Sequence, residues 1–112
     1  MISLEALEEM FANMRTTPST NPASDLLWGY FFFNATQDSL FAASQNLERK
    51  GYTIVRNELI DDGSSYVLHV ERVETHTPQS LYQRNAELEA LAQVHGIDSY
   101  DGMDVGPVRG AQ

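Results

Sequence analysis

Residues 95–107 read His-Gly-Ile-Asp-Ser-Tyr-Asp-Gly-Met-Asp-Val-Gly-Pro, and this stretch decides how the chain closes its fold. Gly96 follows the last residue of a long helical pattern, and glycine readily adopts the left-handed conformation that ends a helix. Between Tyr100 and Asp104 short polar residues alternate with large ones, which is typical of a strand, and Gly102 indicates a bend in it. The stretch therefore predicts a helix end followed by a last strand that returns to the core.

The preceding sequence supplies the elements that this last strand joins. Residues 26–34 are apolar on both faces of a strand, which predicts a central position in a sheet. A helical pattern follows over residues 37–50, and two strands then flank Asp61-Asp62-Gly63-Ser64, a hairpin signal. A second long helix begins at Thr77-Pro78, with threonine as the cap and proline at the first position. The order predicts an α+β protein: a ferredoxin-like split βαββαβ two-layer sandwich with a four-stranded antiparallel sheet, plus an N-terminal helix.

The N-terminal segment has a separate character. Residues 1–15 have the spacing of an amphipathic helix, and residues 16–25 form a proline-containing linker that indicates a helix sitting apart from the main domain, residues 26–107. If the two long helices share one sheet face, the aromatic residues of the first strand lie on the other face and need a cover. The N-terminal helix is the expected cover, and self-association is the alternative. The residues that would form the cover are Leu4, Leu7, Phe11 and Met14.

The net charge restricts the class of partner. The 112-residue chain carries 16 acidic and 7 basic residues, a formal net charge of −9. Such a charge repels phosphate backbones and attracts cationic proteins, although acidity also serves solubility alone. A sheet of this topology binds RNA through aromatic residues on its central strands, and Trp28, Tyr30, Phe32 and Tyr66 are the candidates here. The acidity and the lack of a basic Gly-aromatic signature predict no direct nucleic-acid binding.

Composition also indicates where the protein works. There is no cysteine, which excludes disulfides and thiolate metal sites and is compatible with a reducing compartment. The N-terminus is acidic where a signal peptide is basic, and the longest apolar run, residues 26–33, is too short to cross a bilayer. We therefore expect a cytoplasmic protein without membrane attachment.

Catalytic, metal and cofactor sites have little support in the sequence. His69, His76 and His95 do not stand in metal-ligand spacing, and no nucleophile elbow or phosphate-binding glycine loop occurs. The three-residue spacing of Asp98, Asp101 and Asp104 does not match a calcium loop, and turn or edge-strand solvation explains it better. We expect a protein that is not an enzyme and that uses no cofactor or metal.

Three stretches carry a family resemblance: residues 27–32 (Leu-Trp-Gly-Tyr-Phe-Phe), residues 66–71 (Tyr-Val-Leu-His-Val-Glu) and the tail, residues 95–107. Together they resemble the RraB family of ribonuclease E inhibitors, and the resemblance covers residues 26–107. In that family a Tyr-Asp-Gly motif likewise opens the final strand, often followed by tryptophan where this chain has Met103. The resemblance implies the same ferredoxin-like fold and a regulator that docks on the basic non-catalytic scaffold of ribonuclease E. The protein-binding residues expected from these stretches are Trp28, Tyr30, Tyr100, Asp101, Gly102 and Asp104.

A second function class stays open at this point. The chain can be a stand-alone ferredoxin-like module that binds another protein, such as an Arg-rich segment, or a small ligand, with no link to a ribonuclease. Residues 108–112 are expected to be only a short tail, whereas the best-known inhibitors carry a long acidic one. For either class we expect a monomer or a weak homodimer.

Overall fold

The computed structural model describes residues 2–108, which form three α-helices and four β-strands in the predicted order. Of the tail predicted over residues 108–112, only Val108 lies within the described residues. A single turn of 3-10 helix, Pro18–Thr20, lies in the linker. The elements are α1 (Leu4–Met14), β1 (Leu26–Asn34), α2 (Gln37–Arg49), β2 (Thr53–Leu59), β3 (Tyr66–Glu74), α3 (Pro78–Val94) and β4 (Ser99–Gly106).

The four strands form one antiparallel sheet in the order β2-β3-β1-β4. The first strand is central, as its two apolar faces predict, and pairs with β3 on one side and β4 on the other. This arrangement confirms the predicted α+β two-layer sandwich with an additional N-terminal helix. The strand that residues 95–107 predict therefore lies at one edge of the sheet.

Local signals fix the ends of the helices. Ser3 caps α1 by accepting a hydrogen bond from the backbone N–H of Ala6 at 3.1 Å. Thr77 and Ser80 form a reciprocal capping box at the start of α3, whose first residue is a proline. Gly96 has a φ of +66° just after the end of α3, in the left-handed region that favours glycine.

All three helices bury their apolar residues in one core, on one face of the sheet. Phe11 of α1 stacks on Trp28 of β1 with ring centroids 6.0 Å apart, and both side chains belong to the same cluster as Leu40 of α2 and Leu81 of α3. The cover by α1 is therefore confirmed, but the expectation that it lies on a second sheet face is wrong. The expectation that the N-terminal helix sits apart from the main domain is also wrong, because α1 is part of the core.

The opposite face of the sheet is left to the strands. Phe31 and Phe33 of β1 lie there, paired with His69 and Val67 of β3, and both phenylalanines are half-buried. Phe31 and His69 stack with ring centroids 4.2 Å apart. The aromatic residues predicted to lie on an open face, Trp28 among them, are the ones beneath the helices. The sequence pattern separates the two faces of β1 correctly, but the expectation about which face the helices cover is wrong.

Candidate functional site

The six residues predicted to bind a partner fall into two groups. Trp28 and Tyr30 are fully buried, each with 0% of its surface exposed, so neither touches a partner while the helices stay packed. The other four lie on the edge strand β4, where Asp101 and Asp104 are exposed and Tyr100 and Gly102 are half-buried; of the six, only these four offer a surface to a partner.

The buried pair belongs to an internal polar network centred on Glu74, at the end of β3. The Tyr30 hydroxyl donates a hydrogen bond to Glu74 Oε2 at 2.8 Å, and His76 Nε2 lies 2.8 Å from the same oxygen. Arg84 of α3 donates to Glu74 Oε1, and Trp28 Nε1 donates to the Glu74 backbone carbonyl at 3.2 Å. Glu74 therefore ties β1, β3 and α3 together beneath the helices.

The electrostatics of this network favour the ionised carboxylate. Burial raises the pKa of Glu74, but the hydrogen bonds from His76, Arg84 and Tyr30 outweigh burial and lower the pKa to about 2. Burial and the neighbouring Glu74 charge raise the pKa of Tyr30, so its hydroxyl stays protonated and acts as a donor. A carboxylate with this many donors is a structural anchor, and its side chain is only 10% exposed.

A serine, a histidine and a carboxylate follow one another in this network. Ser80 Oγ lies 2.8 Å from His76 Nδ1, and His76 Nε2 lies 2.8 Å from Glu74 Oε2. The residue types are those of a nucleophilic hydrolase, but in such a triad the serine contacts Nε2 and the carboxylate contacts Nδ1, so the two ring nitrogens are exchanged here. Ser80 Oγ also accepts from the Thr77 backbone N–H at 2.9 Å and so completes the cap of α3. No sequence pattern indicates this cluster, and the capping role explains the position of Ser80 without a reaction.

The exposed group borders a cleft at the edge of the sheet. Between Phe31 and Phe32 the pairing of β1 with β4 shifts register, so that Asp101 is the extra residue of a bulge on β4. Gly102 has a φ of +101° in this bulge, which favours glycine. The cleft has a volume of about 320 Å³ and is lined by Ile2, Asn85, Tyr100, Asp101, Gly102 and Met103.

A buried asparagine supports the wall of this β4 cleft. Asn85 of α3 is 0% exposed, and its Oδ1 accepts a hydrogen bond from the Tyr100 hydroxyl. Its amide nitrogen donates to the Met103 sulphur at 3.7 Å, a weak acceptor. Burial is the largest contribution to the raised pKa of Tyr100, which keeps its hydroxyl protonated as the donor to Asn85. Asn85 thereby fixes Tyr100 against α3.

Replacing Tyr100 with phenylalanine is expected to lower the free energy of unfolding by about 1–3 kcal/mol, because the Asn85 oxygen is left buried without its donor. Tyr82→Phe is the matched control, since Tyr82 also belongs to the α3 region but is 36% exposed. Urea unfolding of both variants measures the difference. Equal transition midpoints for the two variants would show that the Tyr100–Asn85 hydrogen bond contributes nothing to stability.

Acidic residues concentrate on the elements around the β4 cleft. Residues 2–14 contain three acidic residues, residues 85–108 contain five, and neither stretch contains a lysine or an arginine. These stretches cover α1, the second half of α3 and β4. Helix α1 packs on α3, and α3 packs on β4. The other half of the molecule carries both signs, for example Arg56 paired with Glu58 at 3.2 Å on β2. The β4 side is therefore the electronegative side.

A second hollow lies on the open sheet face. Its floor is Gly29, where an added Cβ would collide with the Asp104 carboxylate and approach His69 Nε2 to 2.8 Å. Glu71, Leu27 and the end of β4 complete the lining of a volume of about 320 Å³. Asp104 thus faces the open sheet while Asp101 borders the cleft, and the structure does not bring these two predicted residues into one site.

Residues 2–108 hold no group of three or more histidine, aspartate or glutamate side chains arranged to bind a metal ion. Within the same residues, no helix has both the length and the apolar content that crossing a membrane requires. The β4 cleft and the hollow on the open face are two potential contact surfaces in this part of the chain.

Comparison with known proteins adds one finding. The family model described as regulator of ribonuclease activity B, RraB, matches residues 4–105. The match includes α1 as well as the βαββαβ unit, so it extends beyond the residues 26–107 over which the sequence motifs resemble that family. A search of curated proteins found no match.

Proposed function

The chain belongs to the family of regulators of ribonuclease activity B, and on that basis we propose that it modulates RNA decay by docking on ribonuclease E. The family match over residues 4–105 is the observation that carries this proposal. The family makes the chain a regulator of ribonuclease activity, and docking on ribonuclease E is the specific step that we propose. The regulator itself performs no reaction, needs no cofactor and acts in the cytoplasm, where RNA decay takes place.

The charge of the molecule supports a basic protein segment as the partner. A net charge of −9 raises the local concentration of cationic segments and accelerates their association. The same charge disfavours direct contact with RNA, and the central aromatic residues that stack bases in related folds, Trp28 and Tyr30, are buried here. Regulation through a protein contact agrees with both observations.

Titration of the protein with an Arg-rich peptide from the scaffold region of ribonuclease E is expected to show micromolar or weaker binding that weakens as salt rises. Exposed charges act over only about 8 Å at physiological ionic strength, so screening removes much of the attraction. Isothermal titration calorimetry at two salt concentrations measures the effect, with a peptide of the same length and glutamines for arginines as control. Absence of heat at both salt concentrations would rule out this partner.

A stand-alone binding module is the second candidate, and the β4 cleft is the observation that favours it. Its volume of about 320 Å³ lies at the lower end of the range for small-molecule sites. In that case the protein binds a ligand or another protein without any link to a ribonuclease. A small-molecule library can be screened by NMR for compounds that shift the resonances of Met103 and Tyr100. Such a compound, together with no heat of binding from the scaffold peptide, would favour this module.

A further inference from the structure

We propose that the β4 cleft is the docking site for a basic peptide segment, with one aliphatic side chain in the cleft and flanking arginines on the acidic residues around it. The inference rests on the proposed function and adds the surface and the chemistry of the partner segment. It uses three of the residues predicted from sequence, Tyr100, Asp101 and Gly102. Trp28 and Tyr30, which were predicted with them, lie in the core beneath the helices and are not part of this surface.

The distribution of charge selects this side of the molecule. Glu5, Glu8 and Glu9 are exposed on α1, whose N-terminal end reaches the cleft through Ile2. Asp101 is exposed on the cleft rim itself. No lysine or arginine occurs in residues 2–14 or 85–108, so a cationic segment meets no repulsion from the elements that carry these carboxylates.

The walls of the cleft select an apolar anchor between the charges. Ile2, Tyr100 and Met103 present apolar atoms, and Tyr100 is held in place by its hydrogen bond to Asn85. Gly102 has no side chain and leaves the cleft open toward solvent. An aliphatic side chain that enters such a cleft buries apolar surface, while its charged neighbours remain at the wet rim. The arrangement suits a short sequence in which arginines flank one leucine.

The opposite edge of the sheet is less suited to the same partner. Arg56 on β2 already pairs with Glu58, and the Asn57 carbonyl accepts a hydrogen bond from Gln37 at 2.7 Å. Arg72 lies on the neighbouring strand β3 and adds positive charge. A backbone carbonyl that is already hydrogen-bonded and charges of both signs protect an edge strand from pairing with another strand. The two edges of the sheet therefore differ in both charge and accessibility.

Two matched double variants test the surface. Glu5→Gln with Asp101→Asn removes one exposed carboxylate from the first turn of α1 and one from the rim of the cleft. Asp38→Asn with Asp61→Asn removes two exposed carboxylates on the other half of the molecule. Each pair contains one residue from the first turn of a helix, so both lose the same favourable helix-terminus charge. Both variants change the net charge equally, which separates a local contact from general attraction.

The probe is the peptide Arg-Arg-Leu-Arg-Arg, titrated by calorimetry at low salt. The β4-side variant, Glu5→Gln with Asp101→Asn, is expected to bind this peptide about fivefold more weakly than the unaltered protein does. The control variant, Asp38→Asn with Asp61→Asn, is expected to bind it less than about twofold more weakly. A peptide with serine for leucine is expected to bind the unaltered protein about fivefold to tenfold more weakly than the leucine peptide, since the cleft loses its anchor.

Failure of the inference and failure of the proposed function give different results. If the unaltered protein binds the scaffold peptide but the two double variants weaken binding equally, the docking site is wrong and the function stands. If Asp104→Asn weakens binding while the β4-side variant does not, the segment docks on the open sheet face and this inference is overturned. If the unaltered protein binds neither peptide, the proposed function fails and the inference with it.

Discussion

Replacing Phe11 with alanine is expected to lower the free energy of unfolding by about 3–5 kcal/mol, the cost of truncating a large side chain in a packed core. Phe11 is 1% exposed and stacks on Trp28, so the surrounding aromatic residues cannot collapse into the space without moving β1. A domain of this size is stable by only about 5–15 kcal/mol, and the loss is a large share of that. Thermal and urea unfolding of the variant measure the loss.

Phe41→Ala is the matched control, because Phe41 also lies on a helix, α2, but is 57% exposed. Its expected effect is within about 0.5 kcal/mol. Deletion of residues 1–15 removes Phe11 together with Leu7 and Met14, and the truncated chain is expected to unfold or self-associate through the uncovered aromatic residues. A truncated monomer with an unchanged melting temperature would contradict the packing of α1 on the core.

Replacing Glu74 with glutamine at neutral pH is expected to lower the free energy of unfolding by about 3–5 kcal/mol, since breaking a buried ion pair leaves its partner charge uncompensated. Arg84 is 17% exposed and loses the carboxylate to which it donates. Tyr30 and His76 lose the charged oxygen that they share. Glu58→Gln, on the exposed surface of β2, removes an ion pair with Arg56 and is expected to cost less than about 1 kcal/mol.

The pH dependence gives an independent check on Glu74. Its pKa is about 2 in the folded protein against an ordinary value of 4.5, so the folded state favours the ionised form. The corresponding stability, about 3 kcal/mol, is fully present above pH 4.5 and is lost as the pH falls toward 2. The difference in stability between the unaltered protein and Glu74→Gln is therefore expected to shrink over this interval. A difference that stays constant from neutral pH to pH 2 would mean that Glu74 is not the stabilising carboxylate.

The sequence by itself determined the elements and their ends. Ser3 and Thr77 act within three residues along the chain, and Gly96 ends a helix through its own backbone conformation, so no tertiary contact is needed to predict these features. The apolar character of both faces of β1 determined its central position, and the βαββαβ order then determined the sheet. The family also followed from short stretches of sequence, later extended to α1 by the match over residues 4–105.

Only the tertiary structure decided which face of the sheet the helices cover. The alternation of a strand separates Trp28, Tyr30 and Phe32 from Phe31 and Phe33, but both sets are apolar, so the period cannot tell which set lies beneath the helices. The same holds for the Glu74 network and for the Tyr100–Asn85 hydrogen bond. The hydrogen bonds Tyr30–Glu74, Arg84–Glu74 and Tyr100–Asn85 join residues that are 44, 10 and 15 positions apart along the chain. These contacts depend on how β1, β3, α3 and β4 pack, and no local sequence pattern records them.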